Sequence, residues 1–245
     1  MVYLVYMYEK NTNLNTDYYP TLDENFKEAV ELFEKNLGHK EILELLKNGN
    51  IVQKQIAALK INSIESFEDA LILTDNLTGQ DGKIREAVSL KINELKDSPY
   101  LHQTKIYDKF ADAIIDINGN ICRNIIGTLD TLKSDNEFCQ YFSQKLFSMT
   151  NELIEKVKDF DFQDGKYKVN KEVFKLYWCL EAIYHMAEKL DLQTLKKILS
   201  QTKNINEYTI REKTAKILSK NFTDADMLKM RSELKSDKNY YVRKF

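Results

Sequence analysis

One run spaced for a helix carries the residue types of metal chemistry: Glu181-x-x-x-His185-x-x-Glu188. Residues three and four apart share a helical face, so these side chains could converge on one cation. A carboxylate-bridged metal pair would need further Glu and His from other helices at a three-residue spacing. The chain has no such second copy, so the run reads as a surface ion pair or a half-buried histidine. His39 and His102 stand at helix starts without Cys or His companions, and no zinc spacing exists among three Cys and three His. Asp159-Phe-Asp161-Phe-Gln-Asp164-Gly165 and Asp116-Ile-Asn118-Gly-Asn120 hold calcium-type oxygens. Neither places the glycine and the closing glutamate where a calcium loop needs them, so both read as solvated turns. No phosphate-cradling glycine loop and no nucleophile elbow occurs. Catalytic residues, metal and cofactor are all expected to be none.

A second pattern recurs. Lys54-Gln-Ile-Ala-Ala-Leu-Lys-Ile-Asn62 returns 31 residues later as Arg85-Glu-Ala-Val-Ser-Leu-Lys-Ile-Asn93. A period of this size marks a copied helical hairpin. Related starts follow at Cys122-Arg123, Phe174-Lys175, Ile210-Arg211 and Val242-Arg243. Small or apolar residues come three and four places after the basic one: Ala57 and Ala58, Val88 and Ser89, Ile126 and Gly127, Thr214 and Ala215. Small side chains let two helices pass closely. The fourth copy departs with Trp178 and Cys179, which predicts a neighbouring helix further off or of different shape.

The pattern apolar-Arg-x-x-small-small-x-x-apolar resembles the second helix of HEAT-type repeats over residues 23–245. The resemblance implies an all-α fold, a right-handed α-solenoid of about five to six stacked antiparallel helix pairs. It also implies a concave groove lined by the second helices, which binds proteins or nucleic acids without chemistry of its own.

Of 36 basic residues only Arg85, Arg123, Arg211, Arg231 and Arg243 are arginine, and four of these occupy the recurrent slot. Lysine would supply the same charge, so the slot asks for a planar fork that grips a carboxylate or several carbonyls. One reading is a structural ladder, with Asp81, Asp116, Glu207 and Asp237 near enough in sequence to be partners. The other is a basic stripe along the groove. The ladder is favoured, because the net charge is −2 and a nucleic-acid surface is usually basic. Groove candidates are Lys54, Arg85, Arg123, Lys175, Trp178 and Arg211. The expected function is a scaffold for a protein or peptide partner. The alternative is a DNA-binding enzyme similar to the HEAT-like alkylpurine DNA glycosylases, its site placed at Trp178, Lys175 and Glu181. Phe174, Tyr177, Trp178 and Tyr184 read as a helix-packing knot rather than a base-stacking platform.

The elements that must hold these residues are helical, since two prolines and seven glycines are few for a chain rich in turns. Residues 1–22 form a segment rich in Tyr and Asn that is expected to dock its tyrosines on the first helices, and residues 23–245 form the repeat domain. Helices are predicted from Asp23 to Gly38, over His39–Lys47 and Ile51–Ile61, from Ser66 to about Leu77, and over Lys83–Leu95, His102–Asp116 and Ile121–Leu132. Further ones run from Ser134 to about Phe160, over Asn170–Leu190, from Asp191 to about Thr202, over Asn206–Lys220, and from Thr223 onward. Residues 160–169 are the least helical and could form a small β-hairpin around Asp164-Gly165. The odd set Cys122, Cys139 and Cys179 reads as buried thiols of a reducing compartment, so the chain is expected to be cytoplasmic. The apolar start Met1–Tyr8 lacks a basic leader and a cleavage site, and no stretch reaches the length of a membrane span.

Overall fold

A computed structural model describes residues 20–159 and 166–245. These residues form thirteen α-helices and two 3-10 turns, with no strand among them. The first five helices are α1 (Pro20–Glu34), α2 (His39–Asn48), α3 (Ile51–Lys60), α4 (Phe67–Asp75) and α5 (Gly82–Glu94). The next four are α6 (Thr104–Ala113), α7 (Gly119–Leu132), α8 (Asn136–Val157) and α9 (Lys166–Met186). The last four are α10 (Leu192–Thr202), α11 (Tyr208–Leu218), α12 (Ala225–Leu234) and α13 (Tyr240–Arg243). The 3-10 turns are Pro99–Leu101 and Ala187–Lys189.

Local chemistry sets most boundaries. Asn50 accepts the Gln53 N–H at 2.9 Å while the Gln53 side chain accepts the Asn50 N–H at 3.0 Å, which satisfies two orphan donors at the start of α3. Ser66 caps α4 through the Asp69 N–H, and Asp191 caps α10 through the Thr194 N–H at 2.7 Å. Two expected caps move by one residue. Asp135 caps α8, accepting from the Glu137 and Phe138 N–H groups, and Ser134 instead donates to the Thr131 carbonyl. Asp224 rather than Thr223 caps α12. A carboxylate adds charge–dipole attraction to the hydrogen bond, which a hydroxyl cannot. The first helix starts at Pro20, three residues before the expected Asp23, because proline suits the opening turn. Residues 166–169 are the first turn of α9, so they are not a hairpin strand. The predicted hairpin tip, residues 160–165, and the tyrosine-rich segment before residue 20 lie outside the described residues.

The helices form two rows. Every substantial helix–helix contact joins elements one or two places apart in the chain. The odd-numbered helices α1, α3, α5, α7, α9, α11 and α13 each pack on the next odd one, and the even-numbered α2 to α12 do likewise. Within a pair, α2 packs on α3, α6 on α7, α8 on α9, and α10 on α11. Between the rows lies the core. Ile121, Ile125, Ile126, Leu129 and Leu132 of α7 are all buried, each contributing roughly 1.5–3 kcal/mol of gross transfer free energy. Phe110, Phe138 and Phe142 fill the space around α6 and α8, with Phe138 stacked on Phe142 at 4.8 Å between centroids. On α1 Phe26, Val30 and Leu32 are half-buried, and Phe33 is 52% exposed.

The small residues sit where rows pass closely. Ala57, Ala58, Val88, Ser89, Thr214 and Ala215 are buried. At Gly127 an added Cβ would lie 3.0 Å from Asn93 Oδ1, so α5 approaches the α7 backbone itself. The bulky fourth copy is accommodated by shape. The Trp178 ring lies against Gly119 of α7, where a Cβ would come within 3.3 Å of Cζ2.

Candidate functional site

The recurrent basic slot is a joint between successive hairpins. Arg85, in the first turn of α5, forks onto Asp116 with Nε–Oδ2 at 2.8 Å and Nη2–Oδ1 at 3.1 Å. Its remaining nitrogen donates back to the Gln80 carbonyl. Arg211 repeats this at α11, with Asp237 at 2.7 and 3.3 Å and the carbonyls of Ile205 and Asn206 at 2.9 and 2.7 Å. Arg243 makes the carbonyl half of the grip, on Asp237 and Lys238, both at 2.8 Å. The acids belong to the next turn in the chain, so each fork ties two hairpins together. Asp81 and Glu207, the other two expected partners, instead cap their own helices by accepting the Lys83 and Thr209 N–H groups.

The receiving acids share a local motif. Asp116 accepts the Asn118 N–H, and Asn118 caps α7 through the Asn120 N–H. Asp237 accepts the Asn239 N–H, and Asn239 caps α13 through the Tyr241 N–H. Asp116 is therefore no solvated turn residue, since its side chain is 12% exposed and holds a guanidinium. The repeated Asp-x-Asn before a helix is visible in the sequence. The Arg211 hydrogen bonds hold the Asp237 carboxyl below the usual carboxylate range, against its burial.

The other slot residues do different work. Lys54 donates to Asn76 Oδ1 at 3.1 Å, and the buried Asn76 amide donates to the Leu46 and Ile72 carbonyls. Arg123 is exposed and donates to Asn120 Oδ1, while Lys175 reaches Glu172 at 3.5 Å. Trp178 is 9% exposed, edge-on to Phe174 and Tyr177. Tyr184 stands apart from this knot, edge-on to His185.

A second constellation gathers on α7, α9 and α11. Glu181 receives Lys213 on Oε2 and Lys216 on Oε1 at 2.8 Å. Lys213 lies 4.2 Å from the centre of the Tyr177 ring, and Lys216 and Lys220 lie 4.2 and 4.5 Å from that of Tyr184. Ammonium groups over ring faces are attracted by the quadrupole, which fixes these long side chains. Burial opposes the charge on Glu181, but hydrogen bonds from the two lysines outweigh it and hold the carboxyl low. His185 Nδ1 meets Asp130 at 2.9 Å, and Lys133 meets the same carboxylate at 2.9 Å. In the Glu181-His185-Glu188 run, Glu181 faces the lysines with His185 Nε2 3.9 Å away, His185 Nδ1 faces α7, and Glu188 is 74% exposed. No group of three metal-ligating side chains converges among the described residues.

Sequence reading missed Lys213, Lys216, Lys220 and Asp130. Lys213, Lys216 and Lys220 sit three and four residues apart and Tyr177 and Tyr184 seven apart, but only the packing of α11 on α9 places the two series face to face. Beside them opens a cleft of about 370 Å³ lined by Tyr184, Glu188, Ser219, Lys220, Asn221 and Phe222. No protein-family model matches this chain, and no curated protein matches it.

Proposed function

We propose that the chain is a non-catalytic interaction scaffold, a right-handed HEAT-like α-solenoid of about five to six helix pairs that works in the cytoplasm. It grips a protein or peptide along a concave groove lined by the odd-numbered row. The observation that carries this reading is the contact pattern: among the described residues, every substantial helix–helix contact joins neighbours one or two places away. Such stacking leaves one long face formed by a single helix from each pair, the arrangement on which extended partners lie. The forks at Arg85 and Arg211 close on aspartates, which weighs against a phosphate stripe. Glu181, held between two lysines, is a poor candidate for the carboxylate of a glycosylase.

Affinity capture from a lysate of the source organism, with and without nuclease, tests the proposal. Wild type is compared with an Arg123→Glu variant, a charge reversal at an exposed odd-row position. A protein partner that survives nuclease and is lost with the variant is expected. Recovery of nucleic acid in its place would overturn the reading.

A further inference from the structure

The two rows do not begin together. Each of α3, α5, α7, α9 and α11 packs on the even-numbered helix that precedes it in the chain. Among the described residues α1 has no such helix before it. Between α1 and α2 opens a cleft of about 390 Å³, whose walls include Leu32, Leu37 and Leu45. On α2 the lining residues Glu41, Glu44 and Leu45 share one face by helical spacing. His39, which meets Asp69 of α4 at 2.9 Å, lies on the opposite one. The cleft therefore opens on the side of α2 turned away from α4, where the even-numbered row would continue. Its charges cancel, since Lys35 pairs with Glu41 at 3.2 Å and Lys40 stands with Glu44. The three leucines, all half-buried, are left to set what it prefers.

We infer that the run Met1-Val-Tyr-Leu-Val-Tyr-Met-Tyr8 of the same chain occupies this cleft and closes the even-numbered row ahead of α2. Three observations select it. The run carries no charged side chain in a chain that is 30% charged, which matches an apolar cleft of no net charge. Its reach fits. The 15 residues of α1 are about 22 Å long, and the cleft lies at their far end from Pro20. Residues 9–19 can span up to about 36–40 Å, enough to bring the run back along α1. The resulting course is antiparallel to α1, as successive helices of a hairpin are. Attachment then decides between occupants, since a short tether holds the run near the cleft at roughly millimolar effective concentration, ahead of a second copy. The inference stands on the row pattern and goes beyond the scaffold reading, so loss of the partner in the capture experiment leaves it intact.

Photocrosslinking in the full chain tests this, with Tyr6→p-benzoylphenylalanine and the adducts mapped by mass spectrometry. Adducts are expected between Leu32 and Leu45 of the same chain, in the monomer. Leu45→Glu, first shown to melt cooperatively, should lower their yield severalfold. Leu228→Glu, a change at an exposed position of α12, should leave it unchanged. A second variant reads the contact from the other side: Leu4→Glu/Val5→Glu should speed amide exchange in α1 and α2 and leave α10 to α12 as they are. Adducts elsewhere on the chain, or a yield indifferent to Leu45→Glu, overturn the inference. So does unchanged exchange in α1 and α2. Dimeric adducts that grow with protein concentration would give the cleft to a second copy and overturn it as well.

Discussion

A guanidinium 8% exposed, forked onto an aspartate 10% exposed, makes Arg211 and Asp237 the most deeply buried ion pair among the described residues. Removing one member of such a pair leaves the other buried and uncompensated, so Arg211→Ala should cost about 3 kcal/mol in urea unfolding. Arg85, at 17%, should cost about 1–3 kcal/mol by the same substitution. A loss too small to resolve at either position would remove the joint from the account. Asp237 also sets a pH signature. Its carboxyl is lowered in the fold, so its contribution is complete above the unfolded value and drains away as pH falls through the folded one. The gap in melting temperature between wild type and Asp237→Asn should therefore narrow as the pH drops below about 4. A gap that stays constant would show that Arg211 does not depend on that charge. Burial pushes the Cys122 and Cys179 thiols up to about 12, so both should label with a thiol reagent only as fast as the protein opens. Rapid labelling of the native protein at both would contradict their burial.

Helix against helix, what decides closeness is which side chain is missing. Of the two expected responses to Trp178, a neighbour further off or one of different shape, α7 supplies the second, with Gly119 against the indole. That pairing could not be read from sequence spacing: Gly119 and Trp178 lie in different hairpins. Gly119→Ala forces a rigid ring to move and should cost about 1–3 kcal/mol. Trp178 is the only tryptophan, so its emission reports on this contact alone. A red shift in the native state is expected, and an unchanged spectrum with unchanged stability would mean that α7 and α9 have room to spare. Gly127 differs, because the atom it faces is the far end of Asn93, an amide that can swing away.

Among the described residues, substantial contacts between neighbours one or two helices away imply stability that is summed locally. Amide exchange on Arg211→Ala should lose protection in α10 to α13 while α2 to α4 keep theirs. Uniform loss along the chain would instead indicate a single cooperative core.

The sequence determined the helices, since capping residues and apolar spacing act within a few residues of each other. Ser66 and Asp191 did their work where spacing placed them. It also marked the arginine slot, because a planar fork used so sparingly must meet a geometric demand. Which acid answers each arginine was decided only by stacking: the local choices Asp81 and Glu207 were spent on helix ends, leaving Asp116 and Asp237 from the next turn. The lysine–tyrosine face was likewise beyond sequence reading, since its two halves lie on α9 and α11 and acquire meaning only once those helices pack. Local interactions fix an element because its partners are neighbours in the chain. A site assembled from separate elements exists only after burial of their apolar faces has brought them together.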